Sequence, residues 1–183
     1  MSQHVAFLRA INVGGHVVKM DHLRGLFEGM GLTNVKTFIA SGNVLFVSAT
    51  KSPQVLEEKV ARALEKALGY KVGVFIRSAT EIASIAGHKP FTDAELEDGS
   101  MFVGLFPEPL TAGDRKIVAS METAVDLLRV HDREIYWRAG KNFRDAEFAP
   151  AKLEKKLGKP ATFRNVNTMR RIAALLGNTA KPK

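Results

Sequence analysis

The chain has 183 residues, 45% of them hydrophobic and 25% charged, with a formal net charge of +8 and no cysteine. These values indicate a globular protein of one medium or two small domains, and the lack of cysteine excludes disulfides, thiolate catalysis and cysteine-based metal sites. We expect a cytoplasmic location and no membrane partner, because the start lacks a leader pattern and no apolar run approaches ~20 residues.

The first half is predicted to alternate strands with helices. Apolar runs predict strands over residues 4–11, 35–40, 44–48 and 71–77. Apolar residues at helical spacing predict helices over residues 20–30, 53–68 and 79–86. Ser52 before Pro53, and Ser78 three residues before Glu81, are typical of helix starts. The order of these elements is β-α-β-β-α-β followed by a helix.

The second half repeats this order. Strands are predicted over residues 101–106, 125–130, 134–138 and 161–164, and helices over residues 114–121 and 149–157. A last helix begins at Asn165 or Asn167 and ends at Gly177. The fold class is therefore α+β, with two tandem ferredoxin-like (βαββαβ) subdomains and extra C-terminal helices. The acidic, apolar-poor segment 90–99 separates the expected domains, which are residues 1–90 and 99–183.

A first group of polar residues stands where the predicted strands of the first half stop. It comprises Arg9, Asn12, Gly14, Gly15, His16, Lys19, Ser41 and Asn43. Strands one and two of a ferredoxin-like unit run parallel, so their following loops meet at one sheet edge beside the first helix. Loop amides and a helix N-terminus suit a phosphate or carboxylate, and the side chains add donors. This pattern predicts a site for a small anionic ligand, such as a nucleotide or phosphorylated metabolite.

Turn chemistry is the alternative explanation of the same residues. The pair Gly14-Gly15 permits positive φ in a tight connection, and Ser41-Gly42-Asn43 is typical of a hairpin turn. Arg9 sits near the end of a strand expected to be central, where an arginine normally needs a partner.

A second group, Arg164, Asn165, Asn167 and Thr168, stands at the start of the last predicted helix. An anion could dock there, because Arg164 and Thr168 would point where the helix N–H groups point. The structural alternative is that an asparagine caps the helix and that Arg164 pairs with a carboxylate such as Glu28 or Asp145.

Nucleic acid is the second candidate partner. Basic residues concentrate in the C-terminal third, at Lys152, Lys155, Lys156, Lys159, Arg164, Arg170, Arg171, Lys181 and Lys183. Such a surface attracts anions without specifying a site, and a solvated basic face explains it equally well. Tyr136 and Trp137 are the nearest approach to the aromatic platforms of single-strand binders, and at most one of them faces outward.

An enzyme of unknown reaction at the loop edge is the third hypothesis, with Ser41, His16 or Arg9 as candidate groups. The five histidines lack metal-ligand spacing, so no metal site is predicted. The chain contains no GxSxG, Walker or GxGxxG motif, and its sequence identifies no cofactor.

The segments LRAINVGG, TFIASGNVLF and ATFRNVNT resemble a bacterial family called domain of unknown function sixteen ninety-seven. The resemblance spans essentially the whole chain and implies an α+β fold of two similar subdomains. It implies no activity, substrate or cofactor. Ala10 and Val166 replace a glycine and a tryptophan usual in the family, and residues 142–148 replace a stretch that contains serine and lysine.

Overall fold

The computed structural model describes residues 1–12, 15–39, 42–97, 99–140 and 147–179. Within them the chain is a mixed α+β protein with two four-stranded antiparallel sheets. Its internal contacts divide it into two compact units. The first is Met1–Ile85 together with the segment from Ile172, and the second is Ala86–Arg171. The domain bounds 1–90 and 99–183 stay a prediction.

The first sheet combines four strands with two long helices. Its elements are β1 (Ser2–Arg9), α1 (Met20–Gly29), β2 (Thr33–Phe38), β3 (Asn43–Ser48), α2 (Pro53–Leu68), β4 (Gly73–Ser78) and the following α3 (Ala79–Gly87). The strand order is β2-β3-β1-β4, and every neighbouring pair is antiparallel. The first strand is therefore hydrogen-bonded on both sides.

The second sheet repeats this arrangement after a short helix. Its elements are α4 (Asp93–Leu96), β5 (Ser100–Leu105), α5 (Ala112–Ala119), β6 (Leu127–His131), β7 (Glu134–Ala139), α6 (Pro150–Leu157), β8 (Thr162–Asn165) and α7 (Val166–Thr179). The strand order is β6-β7-β5-β8, again antiparallel throughout. No helix in the described part of the chain has the length and apolar character needed to cross a membrane.

The helix starts predicted at Ser52-Pro53 and at Ser78 are confirmed. Ser52 Oγ accepts a hydrogen bond from Val55 N–H at 3.4 Å, and Pro53 is the first helical residue. At the start of α3, Ser78 N–H donates to Glu81 Oε2 at 2.8 Å while Glu81 N–H donates to Ser78 Oγ at 3.3 Å. This reciprocal pair satisfies two backbone donors that the helix leaves open.

Several element ends differ from the prediction, and backbone angles explain two of these differences. The first strand stops at Arg9 rather than at residue 11, because Ala10 adopts a φ of +63° that no strand accommodates. The last helix continues to Thr179, so the prediction that it ends at Gly177 was wrong. Gly177 is not among the glycines with positive φ and simply continues the helix. A glycine ends a helix only where the chain turns into that conformation, as Gly69 does at +80°.

Apolar side chains at helical spacing form the core of the first unit. Leu56, Val60 and Leu64 recur every fourth residue along α2 and are fully buried. They pack with Leu23 and Phe27 of α1 over the sheet. Each such side chain stabilises the fold by about 1.5–3 kcal/mol through burial. The two helices thus cover one face of the sheet.

His4 lies on the helix-covered face of β1 and is fully buried. Its ring stacks on Phe46 of β3, with the ring centroids 5.7 Å apart. Burial lowers the pKa of His4, and this effect outweighs the hydrogen bond with the Thr50 backbone and the charge of Glu81, which both raise it. The imidazole is therefore held neutral inside the first unit.

A buried carboxylate organises the second unit. Asp126 Oδ1 accepts a hydrogen bond from Trp137 Nε1 at 2.7 Å, and Asp126 Oδ2 accepts from the backbone N–H groups of Glu147 and Phe148 at 2.9 Å each. Trp137 also packs against Phe148, with ring centroids 4.9 Å apart. Asp126 therefore ties the segment before α6 to the middle of β7.

We expect the protein to lose stability as the pH falls below 6.5, the usual histidine pKa. Below this pH the His4 side chain takes up a proton in the unfolded chain, whereas the buried ring of the folded protein does not. The free energy of unfolding therefore falls by up to about 1.4 kcal/mol for each pH unit. The His4→Phe variant, which keeps a ring on Phe46, should lack this component. Urea unfolding above and below pH 6.5 measures it. An identical pH dependence in the two proteins would contradict the assignment.

We expect Asp126→Ala to lower the free energy of unfolding by about 3 kcal/mol or more, because it removes the acceptor of three hydrogen bonds and leaves the buried donors of Trp137 and Phe148 without one. The matched control is Asp93→Ala, an exposed aspartate in α4 whose loss should cost less than about 0.5 kcal/mol. Urea unfolding measures both. Equal stability of the two variants would show that Asp126 is not the anchor of this segment.

Candidate functional site

The loop after β1 and the turn before β3 meet at one end of the first sheet. Leu8 N–H donates to the Gly42 carbonyl oxygen at 2.7 Å. A Cβ atom on Gly42 would lie 3.0 Å from Ile11 Cγ2 and 3.1 Å from Leu8 Cβ, and Gly42 has a φ of +75°. Both the close approach and the backbone angle require glycine here. The two segments are therefore in direct contact.

Hydrogen bonds hold the loop between β1 and α1 in shape. Asn12 Oδ1 accepts from Val18 N–H at 2.8 Å, which closes the loop on itself. Tyr70, just past the end of α2, donates its hydroxyl to the Ile11 carbonyl at 2.8 Å. The His16 ring stacks on Tyr70, with the ring centroids 4.1 Å apart. The loop is thus fixed both to itself and to the end of α2.

A cavity of about 420 Å³ opens beside this loop. Three basic side chains line it, those of His16, Lys19 and His22, together with Tyr70 and apolar residues. None of the described residues that line it is acidic. The cavity therefore has a positive bias that favours an anion.

The cavity lies at the start of α1, which is capped differently from α2. The N-cap residue of α1 is Lys19, and no side chain caps its first amides. In contrast, Ser52 caps α2, and at α5 Thr111 Oγ1 accepts from Asp114 N–H while Thr111 N–H donates to Asp114 Oδ2. The uncapped N-terminus of a helix carries open N–H groups and a partial positive charge. Lysine at that position adds to this charge, whereas Asp21 in the first turn opposes it.

The remaining residues of the first group have different environments. Arg9 is exposed at the end of β1, and its side chain lies over Gly73, where an added Cβ would be 3.1 Å from Arg9 Cβ. Asn43 is fully buried and donates from Nδ2 to the Phe38 carbonyl at 3.0 Å, which supports the turn. Gly15 is exposed with a φ of +85°. Two members, Gly14 and Ser41, lie outside the described residues.

The second predicted group belongs to the second unit. Arg164 Nη1 donates to Thr162 Oγ1 at 2.7 Å and to the Phe163 carbonyl at 2.9 Å, and burial lowers the pKa of Arg164 to about 10. Asn165 Oδ1 accepts from Asn167 N–H at 2.8 Å, as expected of a cap at the start of α7. Thr168 is half-buried in the first turn of this helix. Asp145, one suggested partner of Arg164, lies outside the described residues.

His22 and Tyr70 line the cavity but were not among the predicted site residues. The topology could have indicated Tyr70, because α2 ends at the same edge of the sheet as β1. In the described part of the chain, no three His, Asp or Glu side chains are grouped as a metal site.

The solved structure of the conserved bacterial protein SP0830 from Streptococcus pneumoniae has a similar fold. The two chains are 23% identical, the match covers 97% of this chain and 99% of that one, and the TM-score is 0.73. The chain belongs to the family described as Protein of unknown function (DUF1697), which matches residues 1–136. The match ends before ATFRNVNT, so the resemblance of that segment stays a prediction. No curated protein matches the chain.

We expect Gly42→Ala to destabilise the protein by more than about 1 kcal/mol, because the new Cβ meets Leu8 and Ile11 and the positive φ is strained. The control is Gly25→Ala. Gly25 lies within α1 with open space around its Cβ position, and alanine there should stabilise by about 0.5–1 kcal/mol. Thermal unfolding gives the sign of each change. Opposite signs are expected, and a stabilised Gly42→Ala protein would refute the close contact of loop and turn.

Proposed function

We propose that this protein binds a small anionic ligand, such as a nucleotide or phosphorylated metabolite, in the cavity at the start of α1. The observation that carries the proposal is the grouping of His16, Lys19 and His22 around helix amides that no side chain caps. Helix N-termini with basic neighbours are common phosphate and carboxylate sites. The volume of about 420 Å³ also falls within the range of small-ligand sites, about 300–1,000 Å³.

The loop itself supplies the rest of the proposed site. Asn12 fixes the loop, and the amide of Gly15 adds a donor to those of the first turn of α1. Arg9 completes the proposed set at the adjoining strand end. An enzymatic reaction at this site is an alternative, for which His16 is the group best suited to transfer protons.

We also propose that each unit is a ferredoxin-like subdomain and that the chain is a topological duplication. Support comes from the shared β-α-β-β-α-β order and from the sheet orders β2-β3-β1-β4 and β6-β7-β5-β8. In each unit the first strand lies centrally, between the third and fourth strands of that unit. The cytoplasm remains the expected location.

Nucleic acid is the second proposed partner, through the second unit. Lys152, Lys155 and Lys156 are all exposed on the single helix α6, and Arg170 and Arg171 are exposed on α7. Several exposed cations on one helix suit contacts to successive phosphates, whose affinity comes from counterion release.

We expect a nucleotide or phosphate probe to raise the melting temperature of the protein and Lys19→Ala to remove this rise. Inorganic phosphate, pyrophosphate and AMP are the probes, and a probe at about 100 times its Kd adds about 2.7 kcal/mol of apparent stability. Arg9→Ala should also weaken binding at little cost in stability, since Arg9 is exposed.

Lys51→Ala is the matched control for the anion site. Lys51 is an exposed lysine at the start of α2, which Ser52 already caps, so its loss should leave binding unchanged. The site is refuted if no probe shifts the melting temperature, or if the Lys19 and Lys51 variants respond like the unchanged protein.

For nucleic acid, we expect a 20-nucleotide single strand to bind at about 50 mM salt and to dissociate as salt rises. The substituted protein carries Lys152→Glu, Lys155→Glu and Lys156→Glu and should bind much more weakly. A control protein of the same net charge carries Lys51→Glu, Lys66→Glu and Lys89→Glu. Fluorescence anisotropy compares the three. Loss of binding by equal amounts in both variants would mean that only net charge matters.

A further inference from the structure

A second cavity, of about 580 Å³, lies in the first unit on the other face of its sheet. Ala6 and Leu8 of β1, and Val44 and Phe46 of β3, point toward the core beneath α1 and α2. Successive residues of a strand alternate between faces, so Gln3, Leu45 and Val47 point the other way. These three residues line the cavity.

The cavity has an apolar floor and an apolar side wall. Leu45 and Val47 of β3 and Phe38 of β2 form the floor, and Leu175 and Leu176 of α7 form the wall. Leu176 is 6% exposed and Leu175 is 41% exposed, so part of the Leu175 side chain is open to solvent. Apolar surface therefore remains available to a ligand between the helix and the sheet.

The rim of the cavity is polar and positively charged. It is formed by the edge strand β2, where Asn34 has a φ of +51° and the register with β3 shifts between Thr33 and Lys36. Lys36 is exposed and contributes a cation to the lining. None of the described lining residues is acidic. A ligand with one anionic end would therefore find its charge complemented only at this rim.

We propose that this cavity binds a small amphipathic carboxylate, with its apolar body between β3 and the end of α7 and its carboxylate at Lys36. Small-ligand sites combine largely apolar walls with a few polar groups that fix the orientation of the ligand, and their volumes are about 300–1,000 Å³. The ligand class follows from the apolar walls, the single cation of the described lining and the absence of acidic groups there. The site is independent of the cavity at the start of α1.

Octanoate and 1-octanol are the test pair, because they share an apolar body and differ in the charge of the head. Isothermal titration calorimetry on the full chain should show that octanoate binds more tightly. Lys36→Gln should weaken the binding of octanoate about fivefold, as expected for the loss of one partly exposed ion pair. The affinity for 1-octanol should not change. Leu175→Asp should lower the affinity for both ligands at least tenfold, because it places a negative charge in the apolar wall.

The control for Leu175→Asp is Val55→Asp. Val55 is 56% exposed on α2, in the same unit but outside the cavity, so this change should leave both affinities unaltered. Because Leu175 is partly exposed, its variant should fold, and circular dichroism checks this. Lys36→Gln changes an exposed side chain and provides a second test. The proposal is overturned if octanoate does not bind, or if Lys36→Gln lowers the affinities for octanoate and 1-octanol equally. It is also overturned if the Leu175 and Val55 variants have the same ligand affinities.

Discussion

The central position of β1 is the constraint on which the first unit depends. This strand pairs with β3 on one side and with β4 on the other, and its residues from Val5 to Leu8 are almost completely buried. A strand held in this way cannot slip, because a shift of one residue would move every side chain to the opposite face. Its end at Arg9 therefore fixes where the following loop begins.

The geometry of the loop follows from that fixed end. Ala10 turns the chain out of the sheet, Asn12 closes the loop on Val18, and Tyr70 holds the Ile11 carbonyl. Each contact uses a group that the strand end or the α2 end places within reach. The shape of the cavity at the start of α1 thus depends on the same hydrogen bonds and backbone angles that hold the loop in place. Turn chemistry and a binding site are in this case compatible explanations of the same residues.

The starts of α2 and α3 could be predicted from the sequence because their capping chemistry is local. Ser52 and Ser78 cap helices through partners three residues away, which a reader of the sequence can see. The extent of β1 and of α7 was missed, since these depend on backbone angles at Ala10 and Gly177 that residue type does not determine. Asn43 shows the same limit. Its amide supports a turn through Phe38, a contact that only the folded hairpin defines.

Site residues could be predicted where the strand order determines their position. They could not be predicted where packing between distant segments brings them together. Residues His16 and Lys19 could be placed near the start of α1 from the strand order, and they line the cavity there. The stacking of His16 on Tyr70 spans more than fifty positions of sequence, so no local pattern could indicate it. The cavity beside Leu175 was missed for the same reason, because it joins the first sheet to the far end of the chain.

The most direct test of the anion site is an NMR titration of the ¹⁵N-labelled protein with pyrophosphate. The account predicts saturable shifts of the backbone amides of Met20, Asp21 and His22, where the helix N–H groups have no side-chain cap, and of Tyr70 beside them. The corresponding amides at the start of α2, where Ser52 is the cap, should not move. Shifts confined to other surfaces, or none at saturating pyrophosphate, would contradict the account.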